Sequence, residues 1–349
     1  LNADHFVRFC PCDVYTVQQC YDNFNRVFNT YNLSIPITLH IGVYELCEEG
    51  VDPYTMSYKA LLAMLSIKGD MEKRIAYYEE GMLRKEQEQL ELLNDVDKAV
   101  EENQFEVWFQ PQIDYASKKI VGAEALIRWN HPEKGMLPPG VFVPLLERSN
   151  LITKVDRFVF HTTCKLMQKW LKSLPEENVQ ISINIARQDI LKKGFVETVE
   201  GYMKQYGIPR KSLHLEITET AYMEEFAKLS AEVEKMRSLG FLVEIDDFGA
   251  GYSSLNTLKD INADKLKLDM KFLSCTNSEK GKLIVAAVIN MAKALNITTL
   301  AEGIETKEQA DLLLKFGCSE MQGYYFSKPV PLEEYEDLLF GRKTLPALA

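Results

Sequence analysis

Adjacent aspartates close an apolar run at VEIDDF (243–248), and a glycine-rich turn, GAGYSSL, follows at once. Two neighbouring carboxylates repel each other unless a cation lies close to both. An Asx-type turn, with Asp247 opening a helix after Tyr252, would also account for the pair. Companions of the same chemical type decide between these readings. Glu124, Asn184, Glu216, Lys267, Glu302 and Gln322 each stand at or near the end of another short apolar stretch. The carboxylates and the amide are hard oxygen donors, with no thiolate or imidazole among them, and such a set selects Mg²⁺, Mn²⁺ or Ca²⁺ over zinc. Asp246 can bridge two ions roughly 3.5–4 Å apart while Asp247 engages only the second, an arrangement suited to in-line displacement at phosphorus. Glu302 would complete the second ion. Lys267 is then placed to orient or acidify the attacking water; a plain ion pair with an inward carboxylate is its other reading.

These residues need a frame that brings distant strand ends together. Eight short strands are predicted: FEVWFQPQI (105–113), IVGAEALIRW (120–129), VQISINIA (179–186), LHLEITE (213–219), LVEIDDF (242–248), DKLKLD (264–269), ITTLAEGI (297–304) and EMQGYYF (320–326). Helical patterns fall between most of them, at 155–173, 188–206, 221–239, 279–295 and 305–316. The alternation predicts an α/β fold, a TIM-like (β/α)₈ barrel. An open doubly wound sheet fits less well, because no glycine-rich phosphate turn follows the first strand. Within strands the faces separate: Leu213, Leu215 and Ile217 oppose His214, Glu216 and Thr218, and Leu266 and Leu268 oppose Lys265, Lys267 and Asp269. A barrel interior is normally filled by branched aliphatics. So many inward polar groups are tolerable only against a wet mouth or a cation.

Ahead of the barrel, residues 1–83 read as strand, helix, strand, helix, a smaller α+β fragment, with PITLHIGVYE (36–45) as its best strand. A charged helix over 84–104 links it to a barrel domain spanning 105–342, and 343–349 form a tail. The net charge of −11 argues against a nucleic-acid polymer as partner, since phosphate binding needs a basic field. Seven cysteines without regular spacing point to reduced thiols and a cytoplasmic setting. No stretch approaches the roughly 20 apolar residues that span a bilayer. The chain has neither a signal peptide nor an initiator methionine, so a sensor or membrane-tethering segment is expected upstream.

The ordered segments FQPQID, GAEALIRW, FVPLLE, SINIA, LEITE, DDFGAGYSSL, KLKLD, AEGIET and QGYYFSKP make residues 86–342 resemble the EAL-domain cyclic di-GMP phosphodiesterases. The resemblance implies a barrel whose first strand runs antiparallel, and hydrolysis of cyclic di-GMP to linear pGpG with two Mg²⁺ or Mn²⁺ ions. It implies metal ligands at Glu124, Asn184, Glu216, Asp246, Asp247 and Glu302, with Lys267 beside the nucleophilic water. Glu305 and Gln322 would stand in the surrounding shell, and Glu219 would brace the DDFGAGYSSL loop. Gln110, Leu126 and Arg128 would line the substrate, with Arg128 as a fork donor to phosphate or, alternatively, the partner of a carboxylate. A homodimer through the loop after Asp247 is a further implication. Leu146, Ala186 and Ala250 depart from the family's usual residues without removing a ligand. A catalytically idle cyclic di-GMP receptor is the alternative function. Residues 1–83 resemble the latter half of a GGDEF domain in which NADHF (2–6) replaces the signature, so no cyclase activity is expected.

Overall fold

A computed structural model of the chain describes residues 5–10, 17–30, 38–46, 50–68, 70, 73–175, 178–250 and 262–348. It divides into two compact units, 1–94 and 95–349. In the first, strands β1 (Ile41–Val43) and β2 (Ile75–Tyr77) pair in parallel around the helix Pro53–Ser66. Asp52 starts that helix by accepting the Tyr54 and Thr55 backbone N–H groups at 3.0 Å, two donors the first turn would otherwise leave unpaired. The charged helix expected over 84–104 runs from Glu80 to Glu101.

The second unit is a closed barrel of eight strands: β3 (Phe105–Asp114), β4 (Lys119–His131), β6 (Ile181–Asn184), β7 (Leu213–Thr218), β8 (Leu242–Phe248), β9 (Lys265–Leu268), β10 (Thr298–Ala301) and β11 (Glu320–Met321). A short strand β5 (Gly135–Leu137) hangs on β4 as a hairpin. From β4 round to β11 the barrel strands are parallel, and β3 runs antiparallel to both its neighbours, β4 and β11. Closure leaves no open edge. Each expected strand is present, and those expected over 179–186, 297–304 and 320–326 are the most shortened, to 181–184, 298–301 and 320–321.

Period-two alternation decides which residues face the axis. On β7, β8 and β9, Leu215, Ile217, Val243, Ile245, Leu266 and Leu268 are at most 1% exposed and pack outward against the helix ring. Burial of each such side chain is worth about 1.5–3 kcal/mol. The ring includes Ile152–Trp170, Phe195–Tyr206, Phe226–Ser238, Glu279–Ala294 and Lys307–Phe316. Two of the expected helices are broken. Residues 188–206 split into Arg187–Ile190 and Phe195–Tyr206 because Gly194 adopts φ +87°, and 221–239 splits at Glu225 into Glu219–Glu224 and Phe226–Ser238. Thr306 and Gln309 form a reciprocal capping box that starts the last of these helices. Among the described residues, no helix is long and apolar enough to cross a membrane.

Candidate active site

The same alternation that sends leucines outward sends polar side chains inward at the C-terminal ends of the parallel strands. Lys267 on β9 is completely buried there. Its Nζ lies 3.0 Å from Glu302 Oε1, 3.1 Å from both Glu216 Oε1 and Asp246 Oδ1, and 3.3 Å from Glu124 Oε2. Burial alone would make the ammonium easier to deprotonate. The surrounding carboxylates outweigh burial and hold its pKa well above the ordinary lysine value. Burial and the neighbouring Glu124 push Glu216 well up against the pull of Lys267, and burial likewise raises Glu302.

Glu124 is fixed by two amides. Asn184 Nδ2 donates to its Oε1 at 2.8 Å and Gln322 Nε2 to its Oε2 at 2.6 Å, while Gln322 Nε2 also reaches Gln110 Oε1 at 3.0 Å. With its nitrogen turned to Glu124, Asn184 keeps Oδ1 available as an oxygen donor.

The adjacent aspartates are explained by strand register. Ile245 pairs with Leu266 and Phe248 with Leu268, so β8 carries one residue more than β9 across this interval. That is a β-bulge. Asp247 takes the left-handed conformation at φ +57°, and its N–H is held by Asp246 Oδ1 at 2.9 Å. The bulge re-aims the second carboxylate, which simple alternation would send outward. Gly249 follows at φ +95°, where an added Cβ would lie 2.5 Å from Phe272 Cβ, and its N–H donates to Glu219 Oε2 at 3.1 Å. Asp247 is exposed, yet partial desolvation, then the charges of Asp246 and Asp269, push its pKa up to about 6.

Cation binding can be judged on these side chains. One oxygen each from Glu124, Glu216 and Asp246 lies within 4.8 Å of the others, and the same holds for Asp246, Asp247 and Glu302. Asp246 belongs to both groups. Four carboxylates contact the ammonium and Asp247 adds a fifth nearby, a formal excess of four negative charges that two divalent cations would balance. Neither oxygen of the buried Glu216 accepts a hydrogen bond, although Oε1 faces the lysine. The set fits a pair of hard divalent ions.

Other expected residues lie around this centre. Gln110 is buried and donates to Ser327 O at 3.1 Å. Leu126 and Arg128 are half-buried on β4 beyond Glu124, and Arg128 Nη1 donates to the Ile127 carbonyl at 2.8 Å. Glu305 is not drawn in: it is exposed, and its backbone N–H is bound by Gln309 Oε1 at 2.9 Å. Residues 251–261, which carry the expected helix start after Tyr252 and the dimer loop, lie outside the described residues.

One layer deeper sits a network that sequence reading did not assemble. Glu244 is fully buried between His214 Nδ1 at 2.5 Å, Ser182 Oγ at 3.0 Å and Lys265 Nζ at 3.3 Å, and Lys265 also meets Glu320 at 2.9 Å. Burial opposes the Glu244 charge, but Lys265 and His214 overcome it and hold the carboxyl well below the usual range. Each member lies two residues before a residue of the upper layer, the one sequence signal that could have revealed it.

The EAL domain family matches residues 93–329. The chain belongs to this family. It is 30% identical over 342 residues to the bifunctional diguanylate cyclase/cyclic di-GMP phosphodiesterase MucR of Pseudomonas aeruginosa, covering 96% of this chain and 50% of MucR. It is 31% identical over 307 residues to the cyclic di-GMP phosphodiesterase NbdA of the same organism, covering 88% of this chain and 38% of NbdA. The solved MucR phosphodiesterase in complex with c-di-GMP superposes with a TM-score of 0.66 at 32% identity, over 70% of this chain and 99% of that one. The chain thus spans half or less of the length of these two curated relatives.

Proposed function

We propose that this EAL domain hydrolyses cyclic di-GMP to linear pGpG, using two Mg²⁺ or Mn²⁺ ions held by Glu124, Asn184, Glu216, Asp246, Asp247 and Glu302. The observation that carries the reading is the convergence of four carboxylates from four segments on one buried lysine, with Asp246 shared between two cation-sized groups and Asp247 beside it in the second. The phosphodiesterase names of MucR and NbdA support the substrate. Bound at these residues, the ions would supply Lewis-acid activation of water and of a phosphoryl oxygen.

The chain's own groups do the remaining work. Lys267, kept protonated by its four carboxylate neighbours, presents N–H donors that orient the attacking water. Asn184 and Gln322 lock the Glu124 carboxylate in place, so no rotamer search precedes reaction. Glu219 fixes the bulged DDFG segment through Gly249, while Glu305, exposed and outside the acidic ring, is assigned to the surrounding shell on the family resemblance alone. Gln110 and Leu126 line the substrate cleft, and the Arg128 fork engages a phosphate.

Residues 1–83 are read as a degenerate GGDEF remnant without cyclase activity; Asn2, Ala3 and Asp4 of its altered signature lie outside the described residues. We infer a cytoplasmic setting, no nucleic-acid polymer as partner, and a homodimer through the loop after Asp247.

Incubation with cyclic di-GMP and Mg²⁺, followed by separation of the nucleotides, tests the reading. Linear pGpG is expected from the wild type and none from Glu124→Ala. Binding without product would leave an idle receptor instead, and turnover by Glu124→Ala at the wild-type rate would remove Glu124 from the metal site.

A further inference from the structure

Beyond the metal level, β3 and β4 keep climbing. Among the described residues, β4 and β6 pair from Ala123–Ile181 to Ala125–Ile183, whereas β3 and β4 stay paired out to Phe105 and Trp129. At roughly 3.3 Å per residue, Leu126 and its partner Trp108 stand about 7 Å past Glu124, on the same inward parity. Trp108 therefore overhangs the mouth. Its indole is held in a set plane: Nε1 donates to Glu106 Oε2 at 3.0 Å, and Asn130 Nδ2 pins the other Glu106 oxygen at 3.1 Å. Arg128 Cζ lies 5.5 Å from the ring centroid. Trp129 and Trp170 are wholly buried, whereas Trp108 is half-buried. Tyr324, 61% exposed and an electrostatic neighbour of Arg128, offers a second ring two residues past Gln322.

We propose that Trp108 is a specificity-determining residue that stacks one guanine of the dinucleotide while Arg128 beside it takes the adjoining phosphate. The inference rests on the phosphodiesterase reading and deepens it. A planar ring fixed by a satisfied N–H, beside a cation and above the reacting centre, suits a nucleobase joined to a phosphodiester. Every base has a π-face, and stacking on an aromatic side chain is sequence-tolerant and strong. A fixed ring also avoids most of the ordering cost of binding.

The test compares kcat/KM with kcat for cyclic di-GMP in wild type, Trp108→Ala and Trp108→Phe. The ratio of the two cancels any loss confined to the chemical step at the metal centre. It should fall about 5- to 100-fold in the alanine variant, through a raised KM, and recover for the most part in the phenylalanine variant. An unchanged ratio in Trp108→Ala overturns the proposal. Should that variant not fold, tryptophan emission of the wild type decides: saturating cyclic di-GMP in EDTA must quench it, and emission that stays constant under demonstrated binding overturns the stacking role. A wild type that binds and quenches but does not hydrolyse cyclic di-GMP would sink the hydrolase reading and leave the platform standing.

Discussion

Lys267→Met removes the one cation at the centre of the acidic ring, and its effect can be sized from the structure. Four carboxylate oxygens lie 3.0 to 3.3 Å from Nζ. At an effective dielectric of about 20, each contact is worth roughly 5 kcal/mol of gross attraction. Desolvation of the ammonium and repulsion among the carboxylates cancel most of that sum. What survives resembles the loss of one partner of a buried ion pair, about 3–5 kcal/mol. For a unit of this size each kcal/mol moves Tm by about 2–4 °C, so a drop of about 6–20 °C is expected in EDTA at pH 8. Glu216 and Glu302, already pushed up, can take protons once the lysine is gone, so the drop should shrink at pH 5. Saturating Mg²⁺ should restore much of the Tm, since cations replace the missing charge, but not the turnover. Differential scanning calorimetry of both proteins, with and without Mg²⁺, reads all of this. A Tm in EDTA within about 2 °C of wild type would refute the charge balance on which the site description depends.

Two further outcomes follow from the bulge. Without a cation, Asp247 has a folded-state pKa of about 6, above an unfolded value of roughly 3.9. The folded apo protein therefore binds the proton first and gains stability as pH falls from about 6 towards 4, in competition with the metal. The Tm gain on adding Mg²⁺ should be larger at pH 7.5 than at pH 5.5; an equal gain would detach Asp247 from metal binding. Gly249→Ala forces a Cβ against Phe272 at φ +95° and should cost about 1–3 kcal/mol in urea unfolding. It should also raise the Mg²⁺ concentration giving half-maximal activity, because Gly249 ties the Asp247 turn to Glu219.

The barrel was legible because its strands obey a strict local period. Leucine and isoleucine face helices, polar residues face the axis, and that order needs no knowledge of partners. Glu216, Asp246 and Lys267 could be placed on the inward side from their own segments alone. Three features could not. The bulge at Asp246–Asp247 is a difference in count between β8 and β9, and neither strand contains it by itself. Lys267 was readable as oriented inward, but its four carboxylates come from four different segments spread over 179 residues, Glu124 to Glu302, and only closure brings them within 3.3 Å. Trp108 gave no sequence signal because an aromatic residue in an apolar strand looks like core. It is the extension of β3 and β4 above the rim that exposes its role. The breaks at Gly194 and Glu225 were missed because an amphipathic pattern runs on through both, while tertiary packing sets where each helix stops.

Crystals soaked in Mn²⁺ would test the central claim most directly, by anomalous scattering at the manganese edge. Two peaks are predicted, each about 2.1 Å from its ligand oxygens, one among Glu124, Asn184, Glu216 and Asp246 and one among Asp246, Asp247 and Glu302. A single peak, or none within reach of Asp246, would contradict the two-ion site.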